Sequence, residues 1–317
     1  MPETLPEVSV TDADPNTREI YNQIMTATGV GSPALIYRHF AVFPGFLEWV
    51  WDVVGLDLES GQLAAHALGV THDIAVAKLP PMPREEIMAY GVSAEDCKVI
   101  KAMLTTYNRM NPINLGLMTT VREILAGTAS AAESTAALPR RDPVAAPAAI
   151  KLPAPLNLDE MQPDVRAAVL MLSAGIPNNG GQVIPTLYRH LAIWPKLLLA
   201  IAPRIGDAMQ RGEIASRMDD LISAMAPVTA DVQGRALSRG LAPAPLEDPA
   251  AMVRTFVPVH DSTIGYRRHG PRRSNGPQLI RRRAPGMIQP MKRFRVRDTP
   301  VHGVFLGAIG AVQLAGF

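Results

Sequence analysis

Cysteine is almost missing: Cys97 is the one thiol in 317 residues. That excludes a disulfide framework, a CxxC redox pair and a zinc site built from cysteines. Aromatic residues make up only 5% of the chain and charged residues 19%, against 47% hydrophobic. So much apolar material excludes a disordered chain. No run of about 20 apolar residues crosses the main body, which excludes a polytopic membrane protein. Alternating β-branched runs joined by Asn-Gly or Asp-Gly turns are absent too, so strands are not expected. The opening stretch, MPETLPEVSVTDADP, is acidic and polar and does not read as a signal peptide, so a cytoplasmic location is the default expectation.

Acids are scarce at the other end. Of the 29 Asp and Glu residues only Asp298 follows Asp261, whereas eleven of the 31 Lys and Arg residues lie between Arg267 and Arg297. The net charge of +2 therefore hides a mildly acidic body with a basic tail. Nucleic-acid binding by the core is not expected. The Arg/Pro-rich tail, 271–317, reads as a disordered extension, and three roles stay open for it: a basic arm, a marginal membrane anchor ahead of its apolar end, or an out-of-frame extension.

What is present is a repeat. Residues 37–44 read Tyr-Arg-His-Phe-Ala-Val-Phe-Pro and residues 188–195 read Tyr-Arg-His-Leu-Ala-Ile-Trp-Pro, an offset of 151 that Gly55 and Gly206 extend. Further on the offset settles at 149, pairing Gly91 with Gly240, Met103 with Met252, Tyr107 with Phe256 and Gly116 with Gly265. Between the copies runs an Ala/Pro-rich stretch without periodicity, the composition of a linker. The expected organisation is a first helical repeat over 1–125, a linker over 126–156, a second helical repeat over 157–270 and the tail.

Each copy reads helical. Ile20, Ile24 and Met25 recur at helical spacing, as do Ile36, Phe40, Phe43 and Leu47. Ser93, followed by Glu95 and Asp96, starts another helix. With 29 prolines, the helices are expected to be short or to begin at proline. The fold class is thus all-α, a tandem duplication forming a pseudo-dimer with a pocket between the repeats.

The duplicated layout, Glu19-Ile20-Tyr21, Tyr107 through Pro112 and Tyr188 through Pro195 resemble the group I, inverting, D- or D,L-2-haloacid dehalogenases. The resemblance spans roughly residues 15–270. It implies direct attack of water on the halogen-bearing carbon, with a carboxylate to take the proton, an amide to hold the water and an apolar pocket. Asn111 matches the water-holding asparagine before proline. The family's catalytic aspartate directly precedes the tyrosine of the second-copy helix, and here the sequence is Thr186-Leu187-Tyr188. Leucine accepts no proton. An aromatic pocket residue is also replaced by the Gly31-Ser32-Pro33 stretch.

Thr186, Leu187, Tyr188 and Ile36, the repeat mate of Leu187, are therefore the expected substrate-binding residues, with Asn111 positioning water. His260, the mate of Asn111, is a candidate base because an unperturbed histidine works near neutral pH. Against it stands the plainer reading of a helix-end residue. His39 and His190 recur in both copies, but two nitrogens fall short of a metal site, and packing or hydrogen bonding is the expected role. Arg38 and Arg189 either grip a carboxylate or lie on an exposed helix face. Asn178 through Gly181 read as a loop able to border the pocket.

No cofactor and no metal are expected. The reading is a dehalogenase-like protein hydrolysing a small 2-halo or other 2-substituted carboxylic acid, with a non-catalytic small-molecule-binding protein as the alternative. The partners expected are a small carboxylic acid and a second copy in a homodimer, not a membrane.

Overall fold

The computed structural model describes residues 6–73, 82–129, 152–173 and 184–248, and these are helical, with no strand among them. Residues 74–81 and 174–183, most of 126–156 and everything from 249 onward, His260 included, lie outside the described residues.

Local chemistry sets the first boundaries. Helix α1 (Pro15–Thr28) opens on Asp14, whose carboxylate accepts from the Asn16 and Thr17 amides, and it closes at Gly29. It buries Ile20, Tyr21 and Ile24 against α3 (Phe46–Glu59). Between them lies the six-residue α2 (Leu35–Phe40). Helices α4 (Gln62–Asp73) and α5 (Arg84–Ala89) lead to α6 (Ala94–Leu125), which starts on a reciprocal cap: the Ser93 side chain accepts from the Asp96 amide, and Asp96 accepts from the Ser93 amide.

After a 3-10 turn at Leu158–Glu160 come α7 (Pro163–Ser173) and a second six-residue helix, α8 (Thr186–Leu191). They are followed by α9 (Pro195–Gln210) and α10 (Glu213–Ser238). Both α2 and α8 occupy the same register within the repeated octapeptides. Gly91 and Gly240, paired in the sequence, both sit in the left-handed region, at φ of 80° and 73°, where a side chain is strained.

Proline obeys the expected rule in part. Helices α1, α7 and α9 begin at Pro15, Pro163 and Pro195. But α6 runs for 32 residues through Pro112 and α10 for 26 through Pro227, so the expectation of short or proline-started helices fails for the two longest. An interior proline costs one backbone hydrogen bond. Both helices recover it by packing against each other and against α4, in a core that includes Leu63, Leu117, Val121, Met225 and Val232. Asn111 therefore lies mid-helix, not at a turn or a helix start.

No helix among the described residues is long and apolar enough to cross a membrane.

Candidate active site

The two six-residue helices and the middle of α6 enclose a cavity of about 170 Å³. Ile36 and Arg38 come from α2, Thr186, Leu187 and His190 from α8, and Thr106, Tyr107, Met110 and Asn111 from one face of α6. Ser32, Pro33 and Ala34, ahead of α2, and Leu152 close the wall. The cavity thus gathers four of the residues singled out in the sequence: Ile36, Asn111, Thr186 and Leu187. Tyr188 lies behind the wall, fully buried, and its hydroxyl has no hydrogen-bond partner. His260 is not among the described residues.

Among the described residues the lining is mostly apolar and contains no Asp or Glu. Leu187 and Ile36, paired by the repeat and 2% and 6% exposed, both line the cavity with inert side chains. The polar groups are few. Asn111 is half-buried, with a carboxamide free to bind a ligand or water. Thr106 spends its hydroxyl on the Ala102 carbonyl one turn back.

Arg38 donates Nη1 to Glu7 at 3.2 Å, while its Nε is buried with no partner. Arg189, at the equivalent place on α8, holds two partners. Its Nε donates to the Leu156 carbonyl at 2.9 Å and its Nη2 to Asn157 at 2.8 Å. Neither arginine lies on an exposed helix face.

His190 is the lining residue with the most determined geometry. Its Nε2 lies 2.9 Å from the Pro153 carbonyl, which can only accept, so Nε2 carries the hydrogen. In the neutral ring Nδ1 is then an acceptor, and the Tyr107 hydroxyl donates to it at 2.8 Å. Burial holds the His190 pKa below the usual histidine value. The Arg189 and Arg38 charges push the same way, against the pull of the Pro153 hydrogen bond. Burial drives the Tyr107 hydroxyl well above the ordinary tyrosine range.

His39, at the matching place on α2, uses the other nitrogen: Nδ1 donates to the Pro6 carbonyl at 2.7 Å. The Tyr107–His190 contact joins residues 83 positions apart, and no sequence signal announced it.

Among the described residues no three His, Cys, Asp or Glu side chains cluster as a metal site would require.

No protein-family model matches the chain, and no curated protein matches it by sequence. Solved structures do. A D-2-haloacid dehalogenase mutant in complex with D-2-CPA aligns with a TM-score of 0.58 and 17% identity, over 80% of this chain and 91% of that one. The chain is similar in fold to D-2-haloacid dehalogenases. A second mutant of such an enzyme aligns at 0.59 and a D-2-haloacid dehalogenase with L-LA at 0.58, each at 16% identity over 81% of this chain and 91% of the other. At such identity the likeness establishes a shared all-helical fold, and function has to be argued from the cavity itself.

Proposed function

We propose that this chain is a divergent, group I-type dehalogenase-like hydrolase whose cavity takes a small 2-halo or other 2-substituted carboxylic acid. The observation that carries the reading is the convergence of Asn111, Thr186, Leu187 and Ile36 on one small, apolar cavity beside Arg38. In this reading the Asn111 carboxamide holds the attacking water. The apolar wall desolvates the reacting carbon, and the Arg38 guanidinium attracts the substrate carboxylate. Leu187 stands where the resemblance places the proton-accepting aspartate. The two repeats, 1–125 and 157–270, form a pseudo-dimer around the cavity, with the tail 271–317 as an addition to it. A cytoplasmic location and a homodimer belong to the same proposal.

That no Asp or Glu stands among the described lining residues favours a second reading, a non-catalytic protein that binds the same small acids. Halide release from D- and L-2-chloropropionate and 2-bromopropionate separates the two, run beside calorimetric binding of the same acids and the variant Leu187→Asp. Release by the wild type supports the hydrolase. Binding without release, with activity gained in Leu187→Asp, supports the binding protein on an intact ancestral pocket. A well-folded chain that neither binds these acids nor releases halide from them, as wild type or as Leu187→Asp, would leave only the fold.

A further inference from the structure

We infer that Tyr107 and His190 form a proton relay for this cavity, in which the Tyr107 hydroxyl takes a proton from the attacking water as it passes its own to His190 Nδ1. The inference rests on the hydrolase reading above and supplies the acceptor that Leu187 cannot be.

The first support is polarity. The Pro153 carbonyl fixes hydrogen on Nε2, so Tyr107 donates to Nδ1 and its proton is turned toward the histidine. The tyrosine oxygen keeps acceptor capacity, and Tyr107 is one of the residues that line the cavity. An acceptor in the cavity wall hydrogen-bonded to a base is the arrangement that water deprotonation needs.

Spacing is the second. Tyr107 and Asn111 are one turn apart on α6, and both line the cavity. Residues at that separation share one face of the helix, with Cβ atoms about 5–6 Å apart. A water held on the Asn111 carboxamide therefore sits in the same small cavity that Tyr107 lines.

The third is divergence between equivalent positions. His39 and His190 share a place in α2 and α8, yet His39 is tied to a backbone carbonyl through Nδ1 and His190 through Nε2. Only the second choice leaves Nδ1 as the acceptor for Tyr107. The repeat register puts Phe256 opposite Tyr107, so the hydroxyl is not a feature both copies keep.

The step balances. The water oxygen bonds to the substrate C2 while the C2–halogen bond breaks, and the electron pair leaves with the halide. The water proton goes to the Tyr107 oxygen and the tyrosine proton to Nδ1. His190 becomes an imidazolium that still donates from Nε2 to Pro153, and it loses its proton to solvent once the product has left. The charged and titratable groups facing the ring are Tyr107 from α6, Arg38 from α2 and Arg189 from its own helix. Burial, with the two arginine charges adding to it, favours the neutral resting ring, the form that accepts a proton.

The test uses the full-length protein, with halide release from 2-chloropropionate and 2-bromopropionate followed between about pH 5 and pH 10. Binding of the same acids is measured by calorimetry. The wild type should show one acid limb in kcat/KM, with its midpoint below the ordinary histidine value of 6.5. Tyr107→Phe should lower kcat about 100-fold or more while acid binding stays within about threefold. His190→Gln, checked for folding by circular dichroism, should lose the acid limb. The relay is overturned if Tyr107→Phe keeps more than about a third of the wild-type kcat. It is equally overturned if His260→Ala abolishes turnover while Tyr107→Phe does not. A wild type that binds the acids and releases no halide at any pH refutes the relay and leaves a binding site. A wild type that does neither removes the acid reading as well.

Discussion

Arg235 on α10 donates from Nε to Asp57 Oδ1 at 3.0 Å, and Asp57, on α3, has no exposed surface. Residues 178 positions apart are joined by a buried ion pair, and the second carboxylate oxygen, Oδ2, is buried without a hydrogen-bond partner. Removing one charge strands the other in a poorly solvated place. Asp57→Ala should therefore cost about 3–5 kcal/mol in urea unfolding. The double variant Asp57→Leu/Arg235→Met should recover most of that loss, because an apolar pair of similar volume needs no desolvation.

Tyr37 and Tyr188 are paired by the repeat and differ in one bond. Tyr37 donates its hydroxyl to Asn114 Oδ1 at 2.8 Å, fully buried, whereas the buried Tyr188 hydroxyl has no partner. Tyr37→Phe leaves an unsatisfied carboxamide oxygen and should destabilise by about 1–3 kcal/mol. Tyr188→Phe removes an orphan and should be neutral or stabilising by denaturant unfolding. Equal losses from both variants would contradict this difference.

Burial lowers the pKa of both His39 and His190 in the folded state. The unfolded chain then binds protons first as pH falls, so their stability contribution is complete above the ordinary value of 6.5 and is lost on acidification below it. Thermal unfolding at about pH 7.5 and pH 5.5 should show a lower melting temperature at the acid pH. The drop should shrink in His39→Gln/His190→Gln.

At Gly116, α6 leaves no room for a side chain beside α4 and α10. A Cβ there would lie 3.0 Å from Leu63 Cδ1 on α4 and closer still to the end of Met225 on α10. Alanine in a helix interior normally gains up to about 1 kcal/mol over glycine. Here Met225 and Leu63 have to shift, so Gly116→Ala should gain nothing. Gly116→Leu, which pushes α4 and α10 away, should cost about 1–3 kcal/mol or more in the same unfolding assay.

Much of the architecture was legible because it is local. The Ser93 cap starts α6, and the octapeptides at 37–44 and 188–195 mark two six-residue helices in one register. The prolines misled. Pro112 and Pro227 are tolerated because tertiary packing outweighs one lost backbone bond, and packing partners cannot be read from propensity. At the cavity, the sequence directs attention to Asn111, Thr186, Leu187 and Ile36, all present in the wall. It points equally to Tyr188, whose ring goes into the core, because successive residues of a helix face different ways. Tyr107 and His190 were each visible, but their pairing depends on which ring nitrogen meets the Pro153 carbonyl.

The brevity of α2 and α8 also has a kinetic side. A six-residue helix satisfies few of its own amides and gains little from cooperativity, while the α6 wall is part of a 32-residue helix anchored in the core. The cavity is therefore hinged between a stiff side and two soft ones, and its soft sides are the segments that open by local unfolding at low free energy. Amide hydrogen exchange should be fast in 35–40 and 186–191 and slow in the middle of α6. A ligand that fits the cavity then registers first as slowed exchange in those two short segments, before any change in the global unfolding temperature.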